Sequence, residues 1–213
     1  MTASSKPLKV QNLAWLWGVV AADALALLAV AFPTLFGPAT VTEYVWLRPT
    51  AAAVAPVVVL LLTSLLPSEA KAVLVFWRLR DTLPGHRAFS IHAMKDPRID
   101  MEALRKNVGA FPESPRDQNA TWYRLYKKIE SEVTVAQAHR HYLLFRDLAT
   151  LSLLLTPLAT LTFYFLGVAP VAVGLAAALL VGQYVATAVA ARNNGVRLVT
   201  NVLALQLVKR GKM

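Results

Sequence analysis

Cysteine is absent from the 213 residues, which excludes disulfides, thiolate metal sites and a cysteine nucleophile. Charge is scarce too: 16% of residues are Asp, Glu, Lys or Arg, against 56% hydrophobic, where a soluble domain carries about 25% charged residues. Acids are scarcest, 12 against 22 bases, and only Asp23 and Glu43 fall outside residues 68–147. A Gly-rich phosphate loop, a G-x-S-x-G elbow and an H-E-x-x-H helix are all missing. No stretch alternates with the period of two that marks a half-buried strand. The sequence therefore assigns no catalytic residue and no cofactor, and it points away from sheet structure.

What the chain has is long apolar runs. Four stretches of roughly 17 to 24 residues carry almost no charge, each about the length that crosses ~30 Å of hydrocarbon as a helix. They run from about Leu13 to Phe36, Pro49 to Leu66, Leu148 to Gly167 and Val171 to Ala191. The first opens with Trp15 and Trp17, which suit a headgroup boundary, and closes at Phe32-Pro33 and Gly37-Pro38. Its length, well beyond a signal-peptide core of about 7–15 residues, marks it as a span rather than a cleaved leader. Pro56 and Pro157 lie within spans and read as kinks. The last span is expected to stop at Arg192, Asn193, Asn194 and Gly195.

Basic residues fix the direction, because Lys and Arg near span ends stay on the cytoplasmic side. Of the 22 bases, 21 fall in the N-terminal tail, in residues 68–147 or after residue 191, and Arg48 alone lies in the opposite loops. The expected protein is all-α and polytopic: a bacterial inner-membrane protein with four transmembrane helices in two hairpins, a cytoplasmic helical insert between the second and third, and both termini cytoplasmic. Its parts are residues 1–67, a tail and first hairpin; 68–147, the cytoplasmic helical domain; 148–192, the second hairpin; and 193–213, a cytoplasmic amphipathic tail.

In the insert, Ser68-Glu69 starts a helix that runs into Arg78, Arg80 and Asp81, and Leu83-Pro84-Gly85 breaks it. Residues 86–95 read as loop with a short extended piece at Phe89 to His92. Asp96-Pro97 reads as the cap of a helix ending at Gly109, and Ser114-Pro115-Arg116-Asp117 as a capping box for the next. That next helix places Trp122, Leu125, Tyr126, Ile129 and Val133 along one side. A further helix from about Val135 runs without a breaker into the third span.

Asp23 is the most pointed residue, the one Asp, Glu, Lys, Arg or His well inside a span. Counted from Leu13 at ~1.5 Å per residue, it lies about 15 Å deep, where a charge costs about 2.5–3.5 kcal/mol. Counted back from Arg192, Gln183 reaches a comparable depth of about 13 Å, so Gln183 and Tyr184 are its expected partners, with Thr156 and Thr160 in the middle layers of the third span. The group reads as a proton or cation site, as the lining of a pore between protomers, or as a polar clasp fixing helix packing. Gly174, Ala178, Gly182 and Ala186 recur every fourth residue in the fourth span, and Gly18 and Ala22 in the first. Such stripes let helix backbones approach closely in lipid, here within the chain or between copies.

Arg116, Arg124, Lys127 and Lys128 form a basic and aromatic surface that suits anionic lipid headgroups or a soluble cytoplasmic partner. Nucleic acid is not expected, since Glu130 and Glu132 dilute the patch. Arg78, Arg80 and Asp81, with Arg146 and Asp147, mark the inner interface, where they bracket a headgroup or pair across the bundle. All four histidines, His86, His92, His139 and His141, fall in the insert. His139 and His141 are two apart and point in different directions, so no metal site is assigned.

Two membrane hairpins around one cytoplasmic helical insert resemble the architecture of small four-span bacterial proteins that act as sensors or membrane-disrupting effectors in antiphage defence. The resemblance implies a homo-oligomer whose cytoplasmic caps detect a signal or partner and whose membrane part changes state. The expected function is accordingly non-enzymatic coupling of a cytoplasmic event to the membrane. The alternatives are a small channel or proton-coupled transporter using Asp23, an enzyme acting on lipid headgroups, and a membrane scaffold for a soluble partner.

Overall fold

A computed structural model describes residues 11–31, 61 and 64–210, with side chains through Val208. Every regular element among them is helical: α1 (Leu13–Ala31), α2 (Ser68–Phe76), α3 (Met101–Val108), α4 (Pro115–Ile129), α5 (Val133–Phe165) and α6 (Pro170–Arg210), with three short helical turns between α2 and α3. Among the described residues three helices, α1, α5 and α6, are long and apolar enough to cross a membrane. The expected second span, residues 49–66 with Pro56, lies almost wholly outside the described residues. So do Lys6, Lys9, Phe32, Pro33, Gly37, Pro38, Glu43, Arg48 and Lys212.

The chain forms two compact units, residues 1–71 with 144–188, and residues 72–143 with 189–213. Helices α5 and α6 contribute to both. In the first unit Leu16 of α1 is buried against Leu148 and Leu151 of α5, with Val19 and Val20 packed around them. The opposite faces carry exposed apolar side chains, including Leu25, Leu158, Leu161, Val171, Leu175 and Val185. At about 25 cal/mol for each Å² of apolar surface taken from water, such faces favour hydrocarbon as their solvent.

The second unit, the cap, closes around Phe89, Leu104, Trp122, Tyr126, Ile129, Val135, Val199, Val202 and Leu203. Its helices start where short polar side chains satisfy the first backbone N–H groups. Asp100 caps α3, accepting from the N–H groups of Glu102 and Ala103, and Gly109 ends it at a φ of 88° that favours glycine. The expected cap at Asp96 is displaced because that carboxylate is already engaged. It accepts from the backbone N–H of Arg98 at 3.1 Å and from Arg98 Nε and Nη2 at 2.9 and 2.6 Å. Ser114 caps α4 as anticipated, its Oγ accepting from Asp117 N–H at 3.1 Å and donating to Asp117 Oδ2 at 2.7 Å. Trp122, Tyr126 and Ile129 are buried, whereas Val133 lies beyond the end of α4 and is exposed.

Two other expectations are corrected. Residues 84–95 form a 3₁₀ turn (Pro84–Arg87), a π-helical turn (Ala88–His92) and one α turn (Ala93–Lys95), in place of a loop with an extended piece. Gln118 of α4 stabilises this arrangement: its Oε1 accepts from Phe89 N–H at 3.2 Å, Ser90 N–H at 3.2 Å and Ser90 Oγ at 3.1 Å. The fourth span also does not stop at residues 192–195. Helix α6 continues for 41 residues, so the tail from Val196 is its extension. Asn194 donates from Nδ2 to the Ala190 carbonyl, and Gly195 lies where a Cβ would meet Phe76 Cζ at 3.0 Å and Tyr142 Cδ2 at 3.4 Å. The glycine therefore serves close packing within the cap and is not a C-cap.

The Arg98 guanidinium also donates to Asn201 Oδ1 at 3.1 Å and Thr200 Oγ1 at 3.2 Å, tying the 96–100 segment to α6. Its hydrogen bonds hold the Asp96 carboxyl down from 3.8 to about 2. A depressed carboxyl stabilises the fold above its unfolded value and loses that contribution as pH falls through the folded value. Thermal stability of the protein in detergent should thus fall as pH drops from about 4 to about 2, and Asp96→Asn should flatten that part of the profile. An identical slope in both proteins would rule out this pair as its source.

Candidate functional site

In the first unit Asp23 is 8% exposed, and its Oδ2 accepts a hydrogen bond from Gln183 Nε2 at 2.9 Å. Two helices that are far apart in sequence thus meet through a carboxyl and an amide on otherwise apolar surfaces. A bond of this type between helices in lipid contributes about 0.6–2 kcal/mol. Tyr184 is half-buried beside Gln183 in sequence. Thr160 is engaged within its own helix, its Oγ1 donating to the carbonyls of Thr156 at 2.8 Å and Pro157 at 3.2 Å. Ser152 and Thr156 donate in the same way to Leu148 and Ser152, so the α5 hydroxyls form an internal ladder.

A second polar group lies in the same unit, and one member was not evident from sequence. Asp147 Oδ1 accepts from Lys71 Nζ at 3.1 Å and from Arg146 Nε and Nη2 at 3.2 and 3.0 Å. The Lys71 and Asp147 side chains are only 3% and 2% exposed. Two cations thus converge on one carboxylate oxygen in a buried site. Lys71 reads in sequence as one base among many beside Glu69; only the fold brings it to a residue 76 positions away. Arg78, Arg80 and Asp81 stay exposed on the turn after α2. There Trp77 and Asp81 take left-handed φ values of 52° and 48°, and the Arg192 guanidinium sits 4.4 Å from the centre of the Trp77 ring.

The small-residue stripes face outward. Gly174, Ala178, Gly182 and Ala186 of α6 and Gly18 and Ala22 of α1 are all exposed, and a Cβ at Gly18, Gly174 or Gly182 would meet nothing within 4 Å. The expected packing of these stripes on each other within the chain is therefore not found among the described residues. Helix α6 buries a different set in this unit: Ala176, Leu180 and Ala188.

On α4 the basic side chains Arg116, Arg124, Lys127 and Lys128 are exposed. Lys127 pairs with Glu130 at 2.8 Å and lies 5.8 and 5.9 Å from the centres of the Tyr123 and Tyr126 rings, while Arg124 donates to Thr121 Oγ1 at 3.0 Å. Burial raises the Tyr126 hydroxyl above its ordinary 10.0, so it stays neutral. The hydroxyl and His139 Nδ1 are 2.9 Å apart. His86 Nδ1 approaches the Leu83 carbonyl at 3.2 Å, and burial, then Lys95 and Arg78, lower His92 from 6.5. No group of three or more His, Asp or Glu side chains suited to a metal occurs among the described residues.

The cap also holds two concavities that the linear pattern did not reveal. An open groove of about 720 Å³ runs between Phe89, Met94, Met101, Arg105 and Phe111, with Arg105 over the Phe111 ring at 5.3 Å. A smaller cavity of about 180 Å³ is walled mainly by aromatic side chains of α4 and α5. Comparison with protein families, curated proteins and solved structures finds no match to this chain.

Proposed function

We propose that this is a non-enzymatic, oligomeric protein of the bacterial inner membrane that couples a cytoplasmic signal or partner to a change in the membrane, as a sensor or membrane-perturbing effector of the antiphage type. It spans the membrane four times in two hairpins, with the helical cap and both termini in the cytoplasm and the basic face of α4 turned to anionic headgroups or a soluble partner. The observation that carries this reading is the continuity of α5 and α6, each contributing to the apolar unit and to the cap with no interruption of the helix. A change in the cap that reorients either helix is transmitted along its hydrogen-bonded backbone. The outward stripe from Gly174 to Ala186 supports self-association through α6.

A channel or proton-coupled carrier is the second reading, favoured by the buried Asp23 carboxyl and its bond to Gln183. The experiment is dye leakage from expressing cells. Wild type should leak, and Ala190→Pro, which removes a backbone donor and crowds the carbonyl four residues back, should remove leakage while the protein stays in the membrane fraction. Leakage at the wild-type level from Ala190→Pro would overturn coupling through α6. Loss of ion flux in Asp23→Asn proteoliposomes, with assembly intact, would move the assignment to the second reading.

A further inference from the structure

Residues 77–83, the turn after α2, carry their apolar side chains outward. Leu79 is 88% exposed, more than any other large apolar side chain among the described residues, and Trp77 and Leu83 are 52% and 36% exposed. Arginine alternates with them, since Arg78 and Arg80 are exposed as well. A single bare leucine is ordinary on a protein surface. Three apolar side chains and two arginines on one short turn are a patch of defined chemistry.

The turn is also held in shape. Trp77 N–H donates to the Val73 carbonyl at 2.8 Å, Thr82 Oγ1 to the Arg78 carbonyl at 3.2 Å and Arg87 Nη2 to the Asp81 carbonyl at 3.0 Å. Trp77 and Asp81 keep a left-handed backbone that bulky side chains rarely adopt, and such conformations persist where the surroundings impose them. Leu79 stands between these two fixed points.

The level of the turn follows from Arg192, the first charged residue after the apolar run Val171–Ala191. At ~1.5 Å per residue that run covers about 30 Å, one thickness of hydrocarbon. With α6 across a bilayer, Arg192 falls at the headgroup boundary, and its guanidinium sits 4.4 Å from the centre of the Trp77 ring. Trp77 therefore stands at the level that tryptophan prefers. The charge suits that place: Arg78, Arg80, Arg87 and Arg192 belong to the turn or touch it, against one acid, Asp81. Neither Arg78 nor Arg80 forms an ion pair among the described residues. A protein partner would have to set acids around an apolar pocket at this one level, whereas an anionic leaflet offers phosphate above acyl chain everywhere.

We infer that residues 77–83 insert into an anionic phospholipid leaflet, with Leu79 in the acyl boundary, Trp77 and Leu83 at the headgroup level, and Arg78 and Arg80 on phospholipid phosphates. Arginine suits this role because its apolar stem lies along hydrocarbon while its guanidinium meets phosphate through paired N–H groups. The inference rests on the membrane-spanning part of the proposed function and is independent of its oligomeric and signalling parts. It moors the cap to the leaflet on a different element from the basic face of α4.

The test exploits the absence of cysteine. Single introduced thiols carry the fluorophore NBD in full-length protein, reconstituted into nanodiscs of phosphatidylcholine with or without phosphatidylglycerol. Leu79→Cys should give blue-shifted emission that a doxyl group near the top of the acyl chain quenches. Quenching should be at least about twofold stronger when about a third of the lipid is phosphatidylglycerol, and Arg78→Gln with Arg80→Gln should remove that difference. Val181→Cys, exposed on α6 about 16 Å inside the same apolar run, reports on spanning alone. Gln137→Cys, exposed on α5 about 15 Å along the helix from Asp147, should stay open to aqueous iodide. All these positions are exposed, and parental helicity by circular dichroism is required of each variant. A Leu79 label open to iodide, beside a Val181 label quenched by deep doxyl lipid, overturns insertion and leaves spanning intact. A Val181 label open to iodide overturns both. A blue-shifted Leu79 label that doxyl lipid does not quench means that a second copy or a partner protein covers the turn, and it overturns the inference. So does quenching that is the same without phosphatidylglycerol or equal at Gln137.

Discussion

Asp147→Asn is expected to lower the unfolding free energy of the detergent-solubilised protein by about 3–5 kcal/mol, the range for removing one partner from a buried ion pair. The expectation follows from the arrangement on Oδ1, where Lys71 and Arg146 both place N–H groups within 3.2 Å. With the carboxylate gone, two buried cations face a neutral amide, and neither can recover its lost hydration. Lys71→Met should be milder, since Arg146 continues to hold the carboxylate and the methionine fills the space of the lysine stem. The comparison is made by thermal melting of the three proteins in one detergent. Equal losses from the two substitutions would contradict the sharing of Asp147, and a loss under about 1 kcal/mol from Asp147→Asn would mean that water reaches the group.

Gln118→Leu should have the second-largest effect, on the order of 3 kcal/mol, and it should act locally. Its Oε1 is the acceptor for two successive backbone N–H groups at the start of the π-helical turn, with the Ser90 hydroxyl as a third donor. Each buried donor deprived of its acceptor costs about 1–3 kcal/mol. Leucine preserves volume and takes the side-chain acceptor from the buried amide of Phe89 and the part-buried amide of Ser90. Hydrogen exchange at those two amides should accelerate in Gln118→Leu and not in Ser90→Ala, which removes only a hydroxyl on an exposed residue. The Phe89 ring, 5.3 Å from Phe111 and stacked on it, should loosen with them. Unchanged exchange at both positions would show that the turn holds without the glutamine.

These two residues also show which features could be read in advance. The placement of Gln183 near Asp23 followed from counting rise per residue, because a hydrocarbon layer ties sequence position to depth. The Ser114 cap was legible because its bonds reach only three residues along the chain. Gln118 and Lys71 were opaque for the opposite reason: their partners lie 29 and 76 residues away, so their chemistry arises only once α4 or α5 has packed. At Arg192 to Gly195 the local signals for a stop were genuine but outweighed, since Gly195 is held by Phe76, Tyr142 and Pro84 in a packed core. The small-residue stripes were visible as a pattern, whereas their outward direction depended on which other face of α6 the core takes up.

Helix α6 has a mechanical property that follows from its length alone. Forty-one residues at 1.5 Å each make a rod of about 60 Å, twice the thickness of a hydrocarbon layer. Pivoted at one end, such a rod sweeps its other tip through about 5 Å for every five degrees of tilt. An ångström-scale adjustment near a fulcrum thus becomes a displacement comparable to a full helical turn at the far extremity, and stiffness rather than distance sets how much of it survives.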